Sequence, residues 1–201
     1  NAELMDVLRP HVQPGRTTAE INRLVHEYTL DHGHVPACLG YRGFPRSCCT
    51  SINEVICHGI PGDDVLKQGD IVNIDLTSIV DGWFGDQSET FLLGDVSLEA
   101  QQVSQCALDG LYLAIETIGV NSRIVEIGNA VKQEADRYGF SVVRVSGGDR
   151  LAVLLMLNLD GVTFPGLPCW QAARAEDTCL AIHARWLALE HGQAFFCWVR
   201  M

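Results

Sequence analysis

The sequence predicts an α/β protein of the α+β kind, and three observations carry that prediction. Two strand-patterned runs, 71–80 and 83–93, flank Asp81-Gly82, a strong two-residue hairpin signal. Helical patterns stand on both sides of this hairpin, at 18–32 before it and at about 98–118 and 123–138 after it. The chain has 201 residues, 47% of them hydrophobic and 19% charged, which excludes wholesale disorder and allows one sizeable core.

Taken in order, residues 2–11 read as a helix that the sequence enters mid-pattern at Asn1, as a fragment or trimmed chain would. Pro14-Gly15 closes it. Thr17-Thr18-Ala19-Glu20 is a capping-box pattern, and the stretch behind it puts Ile21, Leu24, Val25 and Tyr28 on one helical face, with Gly33 as a stop. Residues 34–62 are rich in Gly, Pro and Cys and alternate poorly, which predicts loop and short strand. After the hairpin and the two later helices, 140–145 reads as a strand. The texture changes beyond Gly148. Trp170, Trp186, Trp198, Cys169, Cys179 and Cys197 gather there, lysine vanishes, and the apolar run 151–159 follows no clear period. The division this suggests is 1–148 and 149–201.

A formal net charge of −11 argues against a nucleic acid or anionic membrane bound through a general basic surface. The eight cysteines do not look like a disulfide framework: Cys48 and Cys49 are adjacent, no C-x-x-C pair occurs, and the chain is long enough to fold without staples. They read as reduced thiols of a cytoplasmic protein. No secretory signal pattern opens the sequence and no run of 18 apolar residues occurs, so no spanning helix is expected.

The hairpin carries the most chemistry. A two-residue turn at Asp81-Gly82 pairs Val80 with Trp83, Thr77 with Asp86 and Asp75 with Ser88. Val72, Ile74 and Leu76 then point one way, while Asn73, Asp75 and Thr77 point the other. Asp75 and Asp86 become a diagonal pair on one face, with backbones roughly 7–8 Å apart. Two carboxylates aimed at one spot repel unless something positive sits between them. Two divalent ions roughly 3.5–4 Å apart would suit them. A solvated sheet face, with Asp81 serving only the turn, is the competing reading. Gln87 and Glu89 also fall on the face of Ile74 and Leu76, which leaves that face polar in part.

The neighbouring motifs decide between these readings. Leu39-Gly40-Tyr41-Arg42-Gly43-Phe44-Pro45-Arg46-Ser47 leads into Cys49-Thr50-Ser51-Ile52-Asn53-Glu54 and Val55-Ile56-Cys57-His58-Gly59-Ile60-Pro61. Gly69-Asp70-Ile71-Val72-Asn73-Ile74-Asp75 and Asp81-Gly82-Trp83-Phe84-Gly85-Asp86 follow. Together these resemble the type I methionine aminopeptidases of peptidase family M24, over residues from about 3 to about 145 and most specifically over 38–93.

The resemblance implies a pita-bread fold, an antiparallel sheet with helices on one side, built as two similar halves. It implies metal-dependent removal of the N-terminal methionine from nascent polypeptides, in the cytoplasm and at the ribosome, with no membrane or nucleic-acid role. Two divalent ions (cobalt, manganese, iron or zinc) would be the cofactors, with Asp75 and Asp86 as bridging carboxylates. His58 would contact the substrate amide as the catalytic histidine. Cys38, Tyr41, Phe44 and Cys49 would wall the pocket for the methionine side chain, where sulfur suits thiols and aromatic rings. Asn53 and Val55 match a loop that binds a monovalent cation through backbone oxygens in some relatives. No motif singles out His11, His26, His32 or His34.

The resemblance fades after Arg144. Ser141-Val142-Val143-Arg144 arrives on cue, but Ser146-Gly147-Gly148-Asp149-Arg150 follows where a Gly-His-Gly-type segment belongs. Cys179-Leu180-Ala181-Ile182 leads to His183 in place of a ligand glutamate, and a second glutamate has no match. Glu190-His191 lacks the H-E-x-x-H spacing of a zinc helix. Two further classes therefore stay open: a catalytically inactive binding module on the same fold, and a remnant whose tail comes from a frameshift.

Overall fold

The structure, a computed structural model, describes residues 1–119, 123–142 and 197–200. Helix α1 (Ala2–Leu8) runs into a 3-10 turn at Arg9–His11, and α2 (Thr18–Asp31) follows. The capping box forms as the sequence predicts: Thr17 Oγ1 accepts from the Glu20 N–H at 3.2 Å, and Glu20 Oε2 accepts from the Thr17 N–H at 2.9 Å. Two short strands, β1 (Val35–Pro36) and β2 (Cys49–Ile52), lie in the irregular stretch. The long pair β3 (Ile71–Val80) and β4 (Trp83–Leu92) comes next, then α3 (Leu98–Glu116), α4 (Ile124–Tyr138) and β5 (Cys197–Arg200).

Strand β3 is the axis of an antiparallel sheet. β4 runs along its whole length on one side. On the other side β1 and β2 lie end to end, β1 against Ile79 and Ser78, β2 against Asp75 to Val72. β5 extends the sheet beside residues 83–86 of β4. The turn joining β3 to β4 has φ +51° at Asp81 and +79° at Gly82, the two left-handed residues that a type I′ turn needs.

Val72, Ile74 and Leu76 of β3 enter one apolar cluster with Leu4, Met5 and Leu8 of α1 and Ile21 and Val25 of α2. Each such side chain contributes about 1.5–3 kcal/mol when buried, so α1 and α2 are held on this face by hydrophobic burial. Leu24 and Tyr28 pack at its margin, on the helical face expected for them. Glu89 is 3% exposed on the same face, yet it is satisfied. Arg9 Nε donates to Glu89 Oε1 at 2.9 Å, and a second guanidinium nitrogen donates to Oε2 at 2.7 Å. That bidentate pair explains how a carboxylate stands among Ile74 and Leu76. Gln87 is 2% exposed there, with no hydrogen-bond partner for either amide atom among the described residues.

Helices α3 and α4 pack on each other through Cys106, Ala107, Ala114, Ala130, Val131 and Ala135. The strand expected over 140–145 is corrected at 140–142, which lie in no strand. Gly139 takes φ +79°, and the Phe140 N–H returns to the Ala135 carbonyl at 2.8 Å. This C-terminal cap folds the chain back, so Phe140 and Val142 pack on the helix pair. The rest of that expected strand lies outside the described residues. No helix among the described residues is long and apolar enough to cross a membrane.

Candidate functional site

The face of β3 and β4 opposite α1 and α2 carries the chemistry. Asp75 sits across from Ser88 and Thr77 across from Asp86, the register that a two-residue turn dictates. Asn73, Asp75, Thr77, Ser88 and Thr90 are all buried on this side, and Asp86 is half-buried. The polar groups satisfy one another where they can. Asn73 Nδ2 donates to Thr90 Oγ1 at 3.1 Å, and Thr77 Oγ1 donates to Asp86 Oδ1 at 2.8 Å.

Loss of solvent and, next, the charge of Asp75 push the Asp86 carboxyl well above the usual carboxylate range. The Thr77 hydroxyl and the Gln87 backbone N–H pull it back in part. Asp86 makes no ion pair among the described residues. Two carboxylates forced together without a cation are costly alone, and a divalent ion between them would remove the repulsion. The pair thus fits the carboxylate share of a metal site. Among the described residues no group of three His, Cys, Asp or Glu side chains stands ready to hold an ion.

Two thiols complete this corner. Cys49 begins β2 directly across from Asp75 and is 5% exposed. Cys38 follows β1, whose exit is pinned by the Ala37 N–H on the Thr77 carbonyl at 2.9 Å. The two thiols act on each other, Cys49 lowering the Cys38 pKa and Cys38 raising that of Cys49, and the Asp75 charge raises both. Cys57, half-buried, also feels Asp75, although burial is the larger reason its pKa is raised.

His58 is exposed and takes φ +53°, a strained left-handed backbone for a residue with a side chain. Its neighbour Gly59 fixes the loop: the Thr50 N–H donates to the Gly59 carbonyl at 2.9 Å, and the Gly59 N–H donates to Ser51 Oγ at 3.2 Å. Only glycine fits, because a Cβ there would lie 2.0 Å from the Thr50 carbonyl oxygen.

Tyr41 and Phe44 stand half-buried in the tight turn after Cys38, where the Phe44 N–H donates to the Tyr41 carbonyl at 2.9 Å and Arg42 lies over the Tyr41 ring. Asn53 closes a separate turn. It takes φ +50°, Nδ2 donates to Asp70 Oδ1 at 2.9 Å, and Oδ1 accepts from the Ile71 N–H at 3.0 Å.

Of the residues singled out from the sequence, Cys38, Cys49, Asp75 and Asp86 come together around one buried face. Thr77 and Cys57 join them. Period-2 alternation along β3 already put Thr77 beside Asp75, but nothing in the spacing marked Cys57. The segments 146–150, His183 and Glu190-His191 lie outside the described residues.

The metallopeptidase family M24 model matches residues 1–180, and the chain belongs to that family. Within it, the similarity is to methionine aminopeptidases. The methionine aminopeptidase of Rickettsia prowazekii is 45% identical over 143 residues, and methionine aminopeptidase A of Synechocystis is 50% identical over 144. Each match takes in 71% of this chain, but only 55% and 57% of those proteins, so the chain spans about half their length. The crystal structure of the Rickettsia prowazekii enzyme superposes with a TM-score of 0.69 at 45% identity, over 71% of this chain and 58% of that one. The Thermotoga maritima methionine aminopeptidase gives 0.68 at 28% identity, over 71% and 58%. The prolidase of Pyrococcus furiosus shares the fold, with a TM-score of 0.56 at 15% identity. The fold is the pita-bread arrangement of these enzymes.

Proposed function

We propose that this site belongs to a metal-dependent aminopeptidase acting on the N-terminal methionine of nascent polypeptides. The observation that carries the reading is the convergence of Asp75 and Asp86 on one buried face with the Cys38–Cys49 thiols beside them. Asp75 and Asp86 would hold two divalent ions, of cobalt, manganese, iron or zinc, which would polarise the peptide carbonyl and activate water for attack. His58, on its strained loop, contacts the substrate amide. Cys38, Tyr41, Phe44 and Cys49 receive the methionine side chain, and the 53–55 turn offers backbone oxygens to a monovalent cation. A cytoplasmic site of action, near the ribosome, goes with that substrate. Residues 1–148 then form the first part of the catalytic domain and 149–201 its divergent remainder.

A second reading is favoured by one observation in the sequence. The Gly-His-Gly-type histidine and both ligand glutamates are unrecognisable in 146–201. On that reading this chain is an inactive binding module or a frameshifted remnant of the enzyme. The test is release of methionine from a Met-Ala-Ser peptide by the purified chain with added cobalt or manganese. The expected outcome is no turnover at enzyme-like rates, because two aspartates alone leave most coordination positions to water. Release at about 1 per second or faster would overturn that expectation and establish the chain itself as the aminopeptidase. Translation of the other reading frames after Arg144 separates the module from the remnant: Gly-His-Gly and Ile-Glu-Pro segments reappear only in the latter.

A further inference from the structure

We propose that Cys38 and Cys49 are an oxidative modification site, a thiol pair that peroxide converts to a disulfide across the Asp75 side of the polar face. The two residues lie on separate segments of the chain but meet because of how the sheet is assembled. β1 and β2 run in the same direction along one edge of β3. Ala37 is bonded to Thr77 as β1 ends, and Cys49 stands opposite Asp75 as β2 begins. The gap between the two strand ends is therefore about the rise of one or two strand residues, roughly 3–7 Å. A disulfide needs Cα atoms about 4.4–6.8 Å apart with the Cβ atoms facing each other. Each thiol also shifts the other's pKa, which places the two sulfurs near each other beside Asp75. Both are free thiols.

The other nearby cysteines are placed differently. Cys48 is adjacent to Cys49 in sequence but turns into the apolar core, where its S–H approaches Asn22 Oδ1 at 3.8 Å. Cys106 is buried between α3 and α4. Cys57 is the one rival within the corner, since it too feels Asp75. Its loop is fastened through Gly59 to Thr50 and Ser51, farther along β2 than Cys49.

The chemistry balances with hydrogen peroxide as the oxidant. One thiol attacks a peroxide oxygen, giving a sulfenic acid and water; the second thiol then attacks the sulfenic sulfur, forming the S–S bond and releasing a second water. Two thiols lose two hydrogens and the peroxide is reduced. A dithiol reductant reverses the step. The bond would tie the end of β1 to the start of β2 and take both thiols out of the face they line.

The experiment uses the reduced 201-residue chain, treated with stoichiometric hydrogen peroxide and digested by trypsin without reduction. Cleavage at Arg42 and Arg46 separates Cys38 from Cys49, and fragmentation of a cross-linked peptide tells Cys49 from Cys48 and Cys57. The expected result is a Cys38–Cys49 cross-link that dithiothreitol removes, that C38S and C49S each abolish, and that C48S and C57S leave in place. A dominant link through Cys48, Cys57, Cys106, Cys169, Cys179 or Cys197 overturns the proposal. So does sulfinic acid on single thiols, or no oxidation at all. The wild-type map alone decides if a variant fails to fold. The readout is covalent and independent of peptide hydrolysis, so failure here leaves the aminopeptidase reading untouched.

Discussion

Asp86→Asn is expected to make the metal-free chain more stable, although it removes a group from the candidate site. The side chain keeps its shape, and the amide oxygen can still accept from Thr77 Oγ1, now 2.8 Å from Asp86 Oδ1. What disappears is a charge that burial and Asp75 both oppose. Unit charges about 6 Å apart repel by roughly 3 kcal/mol at an effective dielectric of about 20. Thr77 and Gln87 bond the charged oxygens more strongly than a neutral amide by roughly 0.75 kcal/mol each, which offsets about half of that, about 1.5 kcal/mol in all. The net gain is about 1–2 kcal/mol, or a rise in Tm of about 3–6 °C for a domain of this size. The pH dependence has a definite sign. A carboxyl whose folded pKa lies above its unfolded value binds its proton more tightly when folded. The wild type is therefore relatively most stable below about pH 4 and loses that stability as the pH rises towards the folded pKa. The amide of the variant has no such proton, so the gain should grow with pH over that window. Thermal unfolding of both proteins from about pH 4 to 8, without metal, measures it. If the Asp86→Asn chain proved less stable than wild type by more than about 1 kcal/mol at neutral pH, the repulsion argument would be refuted. With millimolar manganese present, any metal-induced rise in Tm should shrink in the variant, because one of the two carboxylates proposed to hold the metal is gone.

Arg9→Met should cost about 2–4 kcal/mol in urea unfolding, since it strands the Glu89 carboxylate, whose side chain is 4% exposed. The double variant Arg9→Met with Glu89→Leu should recover most of that loss, and equal losses in single and double variants would show that the pair is not the cause. Gly59→Ala drives a Cβ to 2.0 Å from the Thr50 carbonyl oxygen, so the His58 loop must move. We expect a loss of about 1–3 kcal/mol, and in crystals of the variant a broken Thr50–Gly59 hydrogen bond; an unchanged loop would contradict the packing described.

The hairpin was legible because one dipeptide sets the whole register. Asp81-Gly82 adopts the type I′ turn, and every pair from Val80–Trp83 to Asp75–Ser88 follows from it. The capping box at Thr17 and Glu20 was equally local, two residues in one turn. Long-range partners were not legible. Nothing near Glu89 in sequence says that Arg9, eighty residues earlier, supplies its counter-charge. Nor does the spacing of Cys38 and Cys49 show that β1 and β2 share one edge of β3. The strand expected over 140–145 is absent at 140–142 for a local reason that alternation conceals: the Gly139 cap turns Phe140 and Val142 back onto the helix pair.

The same register governs both faces, which links the core to the site. Sliding β4 by one residue against β3 would leave Asp86 out of line with Thr77 and shift Glu89 away from the Arg9 guanidinium. A register error along β3 that turned its faces over would bury Asp75 under α1 and α2 and place Ile74 and Leu76 among the thiols. Either error loses hydrophobic burial and strands charges at once, so the alternatives lie far above the observed pairing. The apolar cluster supplies the free energy that holds Asp75 and Asp86 together against their repulsion. That cluster is drawn from α1, α2, β3 and the segments around them, residues 4–93. The carboxylate pair can therefore be held in place by the first part of the chain.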